Sequence, residues 1–163
     1  MEPKFDLANM EDARKNADLL FAKVRLYLEE GIPNGEIIHV GSTAVAGCLT
    51  KGDLDVVVRV PVSDFAQADS FLQTKHIRNN GSARTDTFSA FEDPSCIPHL
   101  GVQLVAVDGP FDFFHQFVDA LRNSPELLQR YNELKRSFVG SEMQAYRAAK
   151  SNFIEQALAK RKL

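Results

Sequence analysis

The spacing of apolar and polar positions divides the chain into a helical beginning, a β-rich middle and a helical end. Ala13, Ala17, Leu20, Phe21, Val24 and Leu28 recur every three or four residues and predict an amphipathic helix, with Asn9 as its cap and Asp12 in its first turn. Gly31-Ile32-Pro33-Asn34-Gly35 supplies the turn chemistry that ends it. Ile37 to Gly41 predicts a short strand, and Leu54 to Val60 (LDVVVRV) a second one rich in β-branched residues. Ser63 is placed to cap a short helix that buries Phe65, Ala68 and Leu72. Residues 83–107 read as a hairpin or strand pair around Glu92-Asp93-Pro94-Ser95-Cys96, the second strand running from about Ile97 to Val107.

Beyond Asp108-Gly109-Pro110 everything is helical. Phe114, Phe117, Val118 and Leu121 form one stripe, Ser124-Pro125 opens a second helix, and Ser141-x-x-Gln144 is a capping-box pattern opening a third. This order predicts an α/β (α+β) fold, a small mixed sheet with flanking helices and a helical C-terminal segment. The alternation is too irregular for a doubly wound parallel sheet. A length of 163 residues suits one domain, with an α/β core over about 1–110 and helices over about 111–163.

Composition changes this picture little: 44% apolar and 25% charged residues describe an ordinary globular chain. The net charge of −3 argues against a protein built to grip a nucleic-acid backbone. Residues Met1 to Leu20 include Glu2, Asp6, Glu11 and Asp12, which is unlike a signal peptide, and no run approaches the ~20 apolar residues of a membrane span. A cytoplasmic protein without a membrane partner is expected. Cys48 and Cys96 stand apart from any metal-binding spacing and are expected as reduced thiols.

The chemistry concentrates in His39-Val40-Gly41-Ser42-Thr43 and Lys51-Gly52-Asp53-Leu54-Asp55-Val56. A chain turning at Gly41-Ser42 lets a phosphate approach the backbone, and serine adds a hydroxyl to the N–H groups. Asp53 and Asp55, two apart on a strand, point to one face. Their alternating neighbours Leu54, Val56, Val58 and Val60 are apolar, so the carboxylate face is expected to be open. Two such carboxylates are a donor set for Mg²⁺ or Mn²⁺, which takes its remaining ligands from substrate phosphates and water.

Gly41-Ser42 followed after a short gap by Asp53-Leu54-Asp55-Val56 resembles the signature of the nucleotidyltransferase superfamily typified by DNA polymerase β. More narrowly, the run from His39 to Gly47, with Lys51 and the aspartates, is similar to the GrpB family within it. The likeness extends through His99-Leu100-Gly101-Val102, Phe117 to Arg122, Pro125-Glu126, Tyr131, Leu134-Lys135, Tyr146, Lys150 and Phe153-Ile154. It implies transfer of a nucleoside monophosphate from a nucleoside triphosphate to an acceptor hydroxyl, with Asp53 and Asp55 on the metal, Gly41 and Ser42 on the β- and γ-phosphates, and Lys150 offsetting their charge. By pattern alone, Lys150 and Lys135 equally fit lysines that pack their stems and extend into water.

The chain departs from the family at Gly101, where a second histidine is common, and at Val118 and Ala120. The strand expected to provide a third carboxylate offers His99, Gly101 and Gln103 on one face and no acid before Asp108. His99 and Gln103 are therefore expected opposite the aspartates, with His99 as the candidate base. His39 fits a place beside the phosphates or a structural hydrogen bond equally well. His76 and His115 suggest surface residues, and Phe111, Phe113, Phe114 and Phe117 core or interface material. The alternative to catalysis is a nucleotide-binding or regulatory module that kept the pocket and lost the base.

Overall fold

The computed structural model describes residues 10–161, so the expected cap Asn9 lies outside the described residues. Helix α1 (Met10–Gly31) buries Ala13, Ala17, Val24 and Leu28 along one stripe. Strand β1 (Glu36–Val40) leads through a single 3-10 turn (Ser42–Ala44) and a connection to β2 (Leu54–Val60). A second turn (Val62–Asp64) enters α2 (Phe65–Lys75), followed by β3 (Ile77–Arg78), β4 (Phe88–Asp93) and β5 (Leu100–Ala106). Ser63, expected as a cap, lies inside that turn, and Asp64 precedes the first helical residue. Helices α3 (Phe114–Asn123), α4 (Pro125–Ser137) and α5 (Met143–Arg161) complete the described chain. Ser124 caps α4 by accepting from the Leu127 N–H at 3.1 Å, with Pro125 at the first position, where no N–H is needed.

The strands form one mixed sheet in the order β1-β2-β5-β4-β3, with β2 and β5 parallel and the other pairs antiparallel. The two central strands are covered on both faces, which is why LDVVVRV is nearly continuous in apolar residues. Leu54, Val56, Val58 and Val60 pack with Leu100, Val102 and Leu104 against α1 and α2 through Val24, Leu28, Phe65 and Leu72. The other face, carrying Val40, Val57, Phe88, Ala90 and Val105, packs against Phe117, Val118, Leu121, Tyr131 and Ala157 of α3–α5.

The carboxylate face is therefore not open, and period two explains it. Val57 shares the face with Asp55 and is itself fully buried, so a second core continues from the aspartates under the C-terminal helices. The Asp53–Asp55 end keeps access to solvent. At the opposite end Arg59 grips Asp112 through two bonds of 2.7 Å, Nε to Oδ1 and Nη2 to Oδ2, and the Asp112 side chain is 3% exposed. This fork ties the segment entering α3 to the sheet. No helix among the described residues is long and apolar enough to cross a membrane.

Candidate functional site

At the end of β1 the chain adopts a conformation reserved for glycine: Gly41 has φ +76° and ψ −175°. It opens the 3-10 turn, whose first two N–H groups, on Ser42 and Thr43, have no acceptor within the turn. The Ser42 hydroxyl donates to Thr50 Oγ1 at 2.8 Å, and the Gly52 N–H reaches the same oxygen at 3.0 Å. Buried Thr43 donates its one hydroxyl proton to the Asp53 carbonyl at 3.0 Å. The Gly41–Ser42 turn is thus bonded to the residues that introduce β2.

The Thr43 bond also fixes His39. With the Thr43 proton committed to Asp53, the His39 Nε2 at 2.9 Å must be the donor to Thr43 Oγ1. His39 pairs with Val56 and faces α1, where its ring lies 5.3 Å from that of Phe21 and Nδ1 lies 3.5 Å from Asp18. Burial lowers its pKa, with Asp18 opposing. Of its two candidate roles, this placement is the hydrogen-bonded structural one, across the sheet from the carboxylates.

Helices α3 and α4 hold the connection between the turn and β2. Arg122 donates to the Ala44 carbonyl at 2.6 Å, while Asn132 accepts from the Leu49 N–H and donates to the Gly47 carbonyl, both at 2.9 Å. Lys135 donates to the Leu49 carbonyl and lies 4.6 Å from the Tyr131 ring centroid. It is 3% exposed, and burial lowers its pKa to about 8 against the opposing pull of Cys48. Lys135 therefore does not extend into water. Both cysteines are free thiols, Cys48 buried and Cys96 partly so.

One row of the sheet carries the centre of the site. Val40, Asp55, Gly101 and Glu92 are successive partners across β1, β2, β5 and β4 and share a face. The Asp55 carboxylate lodges between two glycines: a Cβ on Gly41 would lie 2.6 Å from Oδ2, and one on Gly101 2.9 Å from Oδ1. Among the described residues, none donates a hydrogen bond to this carboxylate. Burial raises its pKa, Lys150 opposes most strongly, Asp53 adds to the rise, and Lys51 and His99 oppose it. Asp53 is more exposed, with Oδ2 3.4 Å from Lys51 Nζ.

The neighbouring row places His99 beside Asp53, through the bond from the Leu54 N–H to the His99 carbonyl at 2.9 Å. His99 Nε2 is 3.7 Å from Glu92 Oε2. Gln103 pairs with Val57, and its Oε1 is buried without a partner. Lys150 reaches the site from α5 and lines a narrow cavity with Gly41, Ser42, Phe113, Phe117 and Tyr131. The structure thus brings Gly41, Ser42, Asp53, Asp55, His99, Gln103 and Lys150 to one side of the sheet and leaves His39 on the other.

Sequence reasoning missed Glu92, assigned to a loop, and the clasp of Asn132 and Lys135, whose partners lie more than 80 residues away. Only a polar residue at a buried helical position signals such a clasp. His76 is no surface residue: its side chain is 4% exposed, bonds Tyr27 Oη at 2.6 Å and lies 3.6 Å from Asp93. His115 sits 3.6 Å from Asp112.

Among the described residues, no three of His, Cys, Asp or Glu converge as a metal cage. A cation here depends on the two aspartates and on oxygens that a ligand brings. The donor set nonetheless fits a hard divalent ion, because the glycines clear space around a carboxylate without a donor of its own.

The sequence profile of the GrpB protein family matches residues 8–160. The chain belongs to the GrpB family. A UPF0157 protein of Vibrio cholerae is 34% identical over 149 residues, covering 91% of this chain and 79% of the relative. The crystal structure of GrpB from Enterococcus faecalis superposes with a TM-score of 0.67 at 18% identity, covering 90% of this chain and 95% of that one. The Cid1 poly(U) polymerase with magnesium and 3′-dATP bound superposes with a TM-score of 0.53 at 14% identity, covering 80% of this chain and 40% of its own. A cytoplasmic RNA terminal U-transferase gives 0.53 at 16%, covering 81% and 39%. This GrpB-family chain therefore has the fold of the nucleotidyltransferases over about two-fifths of their length.

Proposed function

We propose that this GrpB-family protein binds a nucleoside triphosphate with Mg²⁺ or Mn²⁺ and transfers the nucleoside monophosphate to an acceptor hydroxyl, releasing pyrophosphate. The carrying observation is the Asp55 carboxylate, buried enough for its pKa to rise, without a hydrogen-bond donor among the described residues, and set where two glycines keep space clear. A buried carboxylate in that state is costly unless a cation completes it. Asp53 and Asp55 would hold the metal, which when bound neutralises phosphate charge and orients the reacting oxygens. The N–H groups of Ser42 and Thr43, which have no acceptor within the turn, would receive phosphate oxygens. The Ser42 hydroxyl would exchange Thr50 for the ligand, and Lys150 would balance the remaining negative charge. His99, beside Asp53, would take the acceptor proton. A cytoplasmic location fits these substrates.

Gly101 and Gln103 favour a second reading, because neither can serve as a base on β5. In that reading the protein binds the triphosphate and performs no transfer. Thermal melting against the four nucleoside triphosphates, with and without Mg²⁺, separates these outcomes from failure. Binding at a hundredfold excess over Kd stabilises by ~2.7 kcal/mol. We expect a Mg²⁺-dependent shift with at least one triphosphate that Asp55→Asn abolishes. No shift with any of the four, or an equal one in Asp55→Asn, overturns the site. Pyrophosphate release then distinguishes transfer from binding alone.

A further inference from the structure

Gly101 is the point at which β5 fails to contribute a side chain, and the geometry gives the reason. Any Cβ there would stand 2.9 Å from Asp55 Oδ1 and 3.4 Å from Gln103 Nε2. On the β5 side of Asp55, a side chain in this row therefore comes from the next strand. Glu92 of β4 is the residue paired with Gly101, on the same face. His99, two residues before Gly101, is its diagonal neighbour, and such neighbours are within reach of long side chains. Glu92 Oε2 lies 3.7 Å from His99 Nε2, with both side chains partly exposed at 31% and 40%.

We propose that Glu92 is a positioning residue for His99: its carboxylate, 3.7 Å from Nε2, draws the ring proton to that nitrogen and leaves the Nδ1 lone pair for the Asp53–Asp55 cleft. A carboxylate facing one ring nitrogen favours the proton on that nitrogen and so selects the tautomer. The arrangement replaces a side chain that Gly101 cannot carry with one delivered over the empty position. The role assigned to His99 rests on the function proposed above; the orientation by Glu92 does not.

The test is made on the full chain labelled with ¹⁵N-histidine, at a pH where imidazoles are neutral, above about 8. Two-bond ¹⁵N–¹H correlations read the tautomer, with His99→Asn identifying the signals. The wild-type ring is expected to carry its proton on Nε2. In Glu92→Met the His99 nitrogen resonances are expected to shift toward those of an unconstrained neutral imidazole, a mixture in which the Nε2–H form is the larger part. Glu92→Ala gives the same reading should the methionine variant fold poorly. A proton on Nδ1 in the wild type, or unchanged resonances in both variants, overturns the proposal. Melting shifts with each of the four nucleoside triphosphates and Mg²⁺ are recorded on the same samples. Their absence in the wild type removes the nucleotide reading while the tautomer still decides the part played by Glu92.

Discussion

Asp55 and Gly41 occupy each other's margins: a Cβ on Gly41 would come within 2.6 Å of Asp55 Oδ2, at a backbone φ of +76°. Gly140 has a similar φ of +81° but nothing within 4 Å of its added Cβ. Gly41 adds to the crowding a ψ of −175°, in a region essentially restricted to glycine. Gly140→Ala should cost about 1–2 kcal/mol from conformation alone. Gly41→Ala should cost more and also remove the Mg²⁺-dependent nucleotide shift, because Asp55 must move. Urea denaturation of both variants measures the losses, and a Mg²⁺-dependent shift retained in Gly41→Ala would show that the contact is unimportant.

Asn132 bonds Leu49 N–H and Gly47 C=O at once, so Asn132→Ala strands both groups beneath α4. An unmet buried polar group costs about 1–3 kcal/mol. Hydrogen exchange at the Leu49 amide should accelerate more than global unfolding accounts for. An amide that exchanges only with the whole molecule would deny the clasp a local role.

Lys135 predicts a pH dependence. Its pKa is about 8 in the folded protein, lowered by burial, against about 10.4 for lysine in an unfolded chain. Between these values the unfolded chain holds more protons, so stability should rise with pH across that window and be lowest below it. Lys135→Met should lack the climb, a relative change on the order of 3 kcal/mol. The comparison belongs in a Cys48→Ala background, since burial pushes the Cys48 thiol up and its loss of stability with rising pH has the opposite sign. Parallel pH profiles for the two proteins would contradict the buried ammonium.

For Asp112, burial alone would raise the pKa, but the Arg59 fork and the Asp108 N–H at 2.9 Å hold it below the ordinary carboxylate range. A lowered carboxylate contributes stability above about pH 4, and that contribution is lost as pH falls through the folded value. Asp112→Asn should therefore lose about 3 kcal/mol at neutral pH, with the deficit shrinking in acid. Denaturation curves at neutral and acidic pH measure it. A deficit that persists below the folded pKa would point to lost packing.

Much of the fold was legible because local pattern and tertiary position agreed. The stripe of α1 and the β-branched run of β2 each satisfy one period and are buried as that period requires. His39 shows where such reasoning ends. Alternation would carry it to the face of Gly41, but the strand stops at Val40 and Gly41 leaves extended geometry, so His39 follows Val56 toward α1. Asp55 and Val57 show a second limit. Period two correctly put them on one face, yet whether that face was bare or roofed depended on helices about 60–100 residues further on. Glu92 was hidden for another reason: only the β4–β5 register reveals that it stands across Gly101.

The two faces of the sheet differ in when they can be finished. The α1–α2 side is filled by residues no later than Ala106, so a nascent chain can close it as soon as β5 has left the ribosome. The side bearing Asp55 has to wait for Phe117, Tyr131 and Ala157. Lys150 and the Asn132–Lys135 clasp arrive with them. A sheet built in that order has one side settled before the Asp53–Asp55 cleft is roofed, and a chain released short of α5 would display the two aspartates without Lys150.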